Sequence, residues 1–405
     1  MWREWCETRQ QFERKEIRHP AANSDGLPVT AGSGRTKEHQ NNRKITFFFG
    51  DLAEYQSVKP VAQVAKTRGY KTELSMDFCQ PVEIGVYCNH RPDATNSRFS
   101  IVMLHQIGQD QWPECPSKEP NAWSFAPWDA FDIGILPGRA TSQSWYSVSQ
   151  YAYSRPRIGV FELGNPKSDR VFRDRTAFNK EVAQLRKTLR LKDRPTVLYA
   201  PSYTSEEKQD DFIQSLDHMP FNLLIKHYPW KDLDNQHRIY KISEKNQGLN
   251  EKGVYIIEPE VDIMTCLAIS DVVVSDQSNC LVEALLFEVP SISVMDWLNP
   301  QVEYFGEIIP PKVPDSPPCA IKTTRANLCT AVKDAIQNRD LLRPRLRQYR
   351  AYYYSHLGCS AELTMDVIDA ALSGAPWPIE PLLPKLSALY DDIEMNRRRK
   401  DSETT

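Results

Sequence analysis

No apolar run in this sequence reaches the roughly 18 residues of a membrane-spanning helix, so none is expected. The opening Met1-Trp2-Arg3-Glu4-Trp5 lacks the apolar core of a secretory signal. No cysteine pair has the C-x-x-C spacing of a zinc site, and the nine cysteines are scattered singly. That usage fits reduced thiols and a cytoplasmic setting. Neither sign of charge dominates, since 50 Lys and Arg stand against 53 Asp and Glu for a net −3. A charge so near zero provides no global field for nucleic acid or for an anionic membrane, so membrane association is expected to be peripheral at most. An evident D-x-D metal motif is missing too. Asp232-Leu233-Asp234 has the spacing but reads as a surface loop, so neither metal nor cofactor is expected. What remains is a chain of 405 residues, 40% hydrophobic and 25% charged. These are the values of a soluble globular protein long enough for two domains.

Residues 1–43 are polar, charged and broken by Gly and Pro, and read as a disordered leader. From Ile45 the pattern changes. "ITFFFGD" reads as a buried strand, "VAQVAKTRG" as a helix stopped by Gly69. Further strands are expected at "EIGVYC", "SIVMLHQ", "FDIGILPG" and "RIGVFELG", with a helix from Thr176 to Leu189. "LKDRPTVLYAPS" joins a charged linker to a new strand. A second alternation follows through "FNLLIKHYP", "GVYIIEP", "DVVVSD" and "SISVMD", with helices at "DIMTCLAIS" and "NCLVEALLFE". Such alternation predicts an α/β fold of two doubly wound parallel-sheet domains, Rossmann-like, facing a cleft. The expected boundaries are 44–190, 191–358, a C-terminal helix at 359–375 packing back on the first domain, and a tail at 376–405.

One stretch raises a question about chemistry. "DVVVSDQSNCLVEALLFE" reads as a core strand that ends in Ser275-Asp276-Gln277-Ser278-Asn279 before a helix begins. Ligands of open parallel sheets bind beyond the carboxyl ends of the strands. Free backbone N–H groups at a helix start there favour an anion, commonly a phosphate. Ser278 and Asn279 also suit simple N-capping, and the two roles can coexist. Glu283 lies on the side of Asn279 by i, i+4 spacing. It can accept hydrogen bonds from a ribose or glycerol diol, or stand as a dipole-favoured acid in the first turns.

Taken with its neighbours, Asp262 to Asp296 resembles the donor segment of the CDP-glycerol glycerophosphotransferases, relatives of teichoic-acid polymerases with a GT-B fold. The matching residues are Asp262-Ile263, Leu267, Ser270-Asp271, Asp276, Ser278, Asn279, Glu283, Pro290 to Val294 and Asp296. Gln277, Asn279 and Glu283 replace the family's Tyr, Ser and Asp, and all keep hydrogen-bonding capacity. Ala200-Pro201-Ser202-Tyr203-Thr204 is similar to the family's Ala-Pro-Thr-Trp-Arg, without the Arg. Gly164-Asn165-Pro166-Lys167-Ser168-Asp169 is similar to its Gly-Tyr-Pro-Arg-x-Asp junction loop. Lys226-His227-Tyr228-Pro229 resembles Lys-x-His-Pro with the His shifted by one, and in a strand such a shift can reverse the face.

His105, at the end of "IVMLHQIGQD", stands where the family carries His-Gly-Thr-Pro-Leu-Lys. Only this His and Gly108 survive of that motif. The resemblance implies that His105 is the base, a role that suits an imidazole; a structural His at a strand end is the alternative. It also implies transfer of a glycerol phosphate or similar polyol phosphate from a CDP-linked donor to a hydroxyl acceptor on a glycan or lipid-linked chain. Ser202, Tyr203, His227, Asp276, Ser278, Asn279 and Glu283 would hold the nucleotide donor, and Gly164, Pro166 and Lys167 the junction. A UDP-sugar glycosyltransferase or epimerase of the same fold, and an inactive nucleotide-binding relative, stay open. Trp112, Trp123, Phe125 and Trp128, in the insertion after His105, either line an acceptor cleft or pack a Pro-rich loop onto the sheet.

Overall fold

Two six-stranded parallel sheets carry the chain. The computed structural model describes residues 43–88, 94–105, 107, 128–202, 205–229, 239, 253–298, 302–304, 307–309 and 316–385. The leader up to residue 42 lies outside them, as do Tyr203, Gly108, Trp112, Trp123, Phe125, the Asp232–Asp234 stretch and the tail beyond 385.

The first sheet holds β1 (Lys44–Phe48), β2 (Lys71–Ser75), β3 (Val82–Tyr87), β4 (Ser97–Met103), β5 (Ile133–Leu136) and β6 (Gly159–Glu162). Their spatial order is β2-β1-β3-β4-β5-β6, so the winding reverses between β1 and β3. β2 escapes a sequence reading because this edge strand, KTELS, has no fully buried position. Helix α1 (Leu52–Thr67) starts nine residues before the expected "VAQVAKTRG" and runs through Pro60. A proline inside a helix costs about 3 kcal/mol. Burial of Val58, Val61, Ala62, Val64 and Ala65 against the sheet offsets it, each large aliphatic contributing about 1.5–3 kcal/mol. Helix α2 (Arg139–Val148) follows β5, and Trp128 packs in the core on that side, with Phe48, Tyr87 and Trp145.

After β6 come α3 (Pro166–Arg173) and α4 (Arg175–Leu189). Helix α3 packs chiefly on α1 of the first domain, with Val171 reaching the second, while Phe178 of α4 packs with Leu198, Leu224, Met264 and Leu267, so α4 covers the second sheet. That sheet is built from β7 (Thr196–Tyr199), β8 (Asn222–Lys226), β9 (Val254–Ile257), β10 (Val272–Ser275), β11 (Ser291–Val294) and β14 (Ile321–Thr323). Between β11 and β14 lies a small antiparallel pair, β12 (Val302–Tyr304) and β13 (Glu307–Ile309). The order β14-β11-β10-β7-β8-β9 reverses between β7 and β10. Helices α5 (Glu206–Leu216), α6 (Ile263–Ala268), α7 (Cys280–Glu283) and α8 (Leu328–Gln337) complete the layers. Alternation along the strands is strict. Leu198, Leu224 and Val273 face the α3, α4 and α6 side, whereas Val197, Tyr199, Leu223, Ile225, Val272 and Val274 face Phe212 and Leu216 of α5.

Helix α9 (Arg339–Tyr353) leads back toward the first domain, and α10 (Ser360–Ser373) packs Ala361, Met365, Val367 and Ile368 with Ile45, Val58 and Val61. The first part of the expected tail is also seated. The Leu382 amide donates to the Val160 carbonyl and the Lys385 amide to Ser149 Oγ, covering the β6 edge of the sheet. No described helix is long and apolar enough to cross a membrane.

Candidate active site at the two switch points

At the first crevice, β1 runs into the turn Phe49-Gly50-Asp51, and the Asp51 carboxylate caps α1 by accepting from the Glu54 amide at 2.9 Å. The Glu54 side chain turns back so that Oε2 accepts from the Gly50 amide. A Cβ at Gly50 would meet that oxygen at 3.0 Å, which explains the small residue. Glu54 is buried. His105, two residues past β4, continues the parity of Ile101 and Met103 and therefore faces α1. Its Nδ1 lies 3.4 Å from the Cys88 carbonyl and 3.8 Å from Glu54 Oε1. Its Nε2 has no partner among the described residues.

At the second crevice the ends of β7 and β10 are laced together. Asp276, fully buried, accepts from the Ser202 amide at 2.9 Å, from Ser202 Oγ at 2.7 Å and from the Gln277 amide at 2.7 Å. Its second oxygen takes Lys208 Nζ of α5 at 3.2 Å. The expected donor contacts at Asp276 and Ser202 are thus directed at each other: the Ser202 hydroxyl proton is spent inside the protein. Ser278 Oγ accepts from the Cys280 amide at 3.3 Å, a weak cap. The Ser278 and Asn279 amides have no acceptor among the described residues, and the buried Oδ1 of Asn279 has no partner. The helix expected over "CLVEALLFE" is one α turn, α7, followed by a 3-10 turn at Ala284–Phe287. It stops at Glu288, which is left-handed at φ 54° and pairs with Arg347 and Arg350.

The one-residue shift at His227 has the consequence that parity dictates. His227 falls on the face of Ile225, under α5, with Nε2 2.7 Å from Gln209 Oε1, and it is 1% exposed. Burial, helped by the Lys226 charge, lowers its pKa to about 4, so the ring is neutral. The ring is thus buried beneath α5 rather than open to a ligand. Lys226 takes the opposite face, where its ammonium donates to the His227 and Pro259 carbonyls. Burial pushes its pKa down. Tyr228 next reaches the other domain. Its phenol, pushed upward by burial and by a hydrogen bond to the Asp51 carboxylate, joins the end of β8 to the start of α1.

The junction loop makes a second interdomain bond. Gly164 is left-handed at φ 93°, and a Cβ there would come within 2.3 Å of the Ser355 carbonyl, so only glycine fits. Asn165 caps α3 by accepting from the Lys167 amide at 3.0 Å, with Pro166 in the first turn. Lys167 Nζ then meets Glu283 Oε1 at 2.8 Å, both side chains buried. The expected hydroxyl-binding carboxylate therefore has one oxygen engaged by an ion pair. Burial alone would lower the Lys167 ammonium, but the Glu283 charge outweighs it and the net shift is upward. Asp169, in the first turn of α3, accepts from the Ser360 and Ala361 amides and so holds the start of α10.

Sequence reasoning missed Glu54, Asp51 and Tyr228. The signal is the strand-turn-helix at Gly50-Asp51, which Pro60 masks because a proline favours a helix start over a helix interior. Among the described residues no cluster of three or more His, Cys, Asp or Glu stands ready for a metal.

No family model and no curated protein matches the chain. Among solved structures it is similar to the wall teichoic acid polymerase TagF, at 14% identity and a TM-score of 0.56 over 84% of this chain and 91% of that one. A His-to-Asn variant of TagF soaked with CDPG gives a TM-score of 0.59 at 13% identity, with the same coverage. At such identity the likeness establishes the fold. The chain has the GT-B architecture of two doubly wound domains about a cleft.

Proposed function

We propose that this protein is a transferase moving a glycerol phosphate, or a similar polyol phosphate, from a CDP-activated donor to a hydroxyl acceptor on a glycan or lipid-linked chain. The observation that carries this reading is the pair of contacts made beside the switch points, Tyr228 with Asp51 and Lys167 with Glu283. The Tyr228–Asp51 bond sets the end of β8 against the start of α1. On this reading His105 Nε2 and the Ser278 and Asn279 amides, all without partners among the described residues, face one cleft. The CDPG soak of a TagF variant with the same fold adds support for the donor class.

In this mechanism the acceptor oxygen attacks the phosphorus that bears the polyol. Its proton passes to His105 Nε2, and the bond from that phosphorus to the bridging oxygen breaks. CMP leaves with the electron pair. The Ser278 and Asn279 amides receive its growing phosphate charge, as backbone donors do in an anion hole. Asp276 fixes those amides by tying β10 to Ser202 and Lys208. Glu283, held by Lys167, has its other oxygen for the ribose or polyol hydroxyls.

The test is turnover with CDP-glycerol and glycerol, read as CMP and glycerophosphoglycerol by mass spectrometry. One CMP should appear for each ester formed. His105→Ala should lower the rate by at least about 10²-fold; an unchanged rate removes the assigned base. Product from a UDP-sugar alone would redirect the assignment to a sugar transferase or epimerase.

A further inference from the structure

Resting on that reading, we infer that Glu54 is the positioning residue of His105: its carboxylate and the Cys88 carbonyl hold the imidazole proton on Nδ1 and leave Nε2 bare as the base. Both groups near Nδ1 are acceptors, at 3.4 Å for Cys88 O and 3.8 Å for Glu54 Oε1. A carbonyl and a carboxylate only accept, so among the described residues this side of the ring favours N–H at Nδ1. A free neutral imidazole has no such bias imposed by its surroundings. The position of the proton is therefore a property of this pocket.

Three features built into the turn fix the carboxylate. Its other oxygen, Oε2, is held by the Gly50 amide. The Glu54 amide is held by Asp51 at 2.9 Å. Asp51 in turn receives the Tyr228 phenol from the second domain. The Cys88 thiol donates to the Glu54 carbonyl at 3.4 Å, binding the end of β3 to the same turn. Glu54 is 5% exposed, in a helix whose exposed face offers ample room for an acid. A carboxylate buried beside an imidazole, with its second oxygen satisfied by backbone, is the arrangement that orients a base and stabilises the cation formed when it takes a proton. The chain of contacts also links the base to the domain that binds the donor.

The decisive experiment reads the proton directly. In protein selectively labelled with 15N at histidine, at alkaline pH, the His105 ring is assigned by its loss in His105→Gln. Long-range 15N–1H spectra should show it as the Nδ1–H tautomer. An Nε2–H tautomer overturns the inference and leaves the transferase reading untouched. Glu54→Gln, which keeps the shape of the side chain, should broaden or shift this signature while the other histidines stay in place. With CDP-glycerol and glycerol as substrates, Glu54→Gln should lower kcat about 10²-fold with little change in donor affinity. In a His105→Ala background it should cost nothing further, because a residue that acts through another is silent once that one is gone. Equal losses in both backgrounds would make Glu54 a structural acid only. Retention of full turnover by His105→Ala would instead defeat the parent reading.

Discussion

Removing one partner of the Lys167–Glu283 pair tests how the two domains are locked. The charges lie 2.8 Å apart with both side chains buried. At an effective dielectric of about 20 the attraction is about 6 kcal/mol before desolvation is counted. Breaking a buried pair by deleting one member typically costs about 3–5 kcal/mol, because the survivor is left charged and alone. Lys167→Met should therefore lose about 4 kcal/mol, a fall in Tm of about 10 °C. The double variant Lys167→Met/Glu283→Leu removes both charges and should lose less than about 2 kcal/mol, giving a coupling of at least about 2 kcal/mol. Urea unfolding, with m values checked for two-state behaviour, reads all three. The pH dependence has a definite sign. Lys167 is raised in the folded state, so its contribution is complete below the unfolded lysine value near 10.4 and is lost only as pH climbs through the folded value. The gap between wild type and Lys167→Met should hold through neutral pH and close above about pH 10.4. Single losses under about 1 kcal/mol that simply add would refute the reasoning.

His227, neutral and depressed to about 4, should withdraw stability as pH falls from about 6.5 to about 4, by about 3 kcal/mol. His227→Gln should flatten that part of the urea-midpoint profile, and an identical slope would assign the acid sensitivity elsewhere. Asp276→Ala leaves the Ser202 amide and the Lys208 ammonium without their acceptor. It should cost about 3 kcal/mol or more and abolish donor-induced stabilisation, both visible in one calorimetric series. Gly164→Ala must force a side chain into left-handed backbone against the Ser355 carbonyl. A loss above about 2 kcal/mol is expected in the same series.

Much of the fold can be read from the chain because β-branched runs and alternation are local signals. Val272-Val273-Val274 is buried from end to end, as a parallel strand between two helix layers must be. Elements that failed to register have physical reasons. β2 is a polar edge, α1 runs through Pro60 under the burial of its sheet-facing residues, and α9 continues through an exposed Pro344. The first crevice gave up only His105, since Glu54 resembles any acid in the first turn of a helix. At the second, the polar end of β10 stands out in sequence, but its partner does not: Ser202 lies 74 residues from Asp276. Lys167 and Glu283 each stand out singly in the sequence, but a separation of 116 residues hides their pairing. For His227 the parity argument was available in advance, and Ile225 and Gln209 show which face it selects.

If the cleft holds a cytidine-linked donor, nucleotides of that class will stabilise the purified protein against heat. The panel is CDP-glycerol, CDP-ribitol, CMP, UDP-GlcNAc, UDP-glucose and GDP-mannose, without and with Mg²⁺. A ligand at one hundred times its Kd adds about 2.7 kcal/mol to the folded state, a shift of several degrees. Stabilisation by the cytidine compounds, lost in Asp276→Ala, is the expected result. Stabilisation by a uridine or guanosine sugar alone, or by none of the panel, would contradict it.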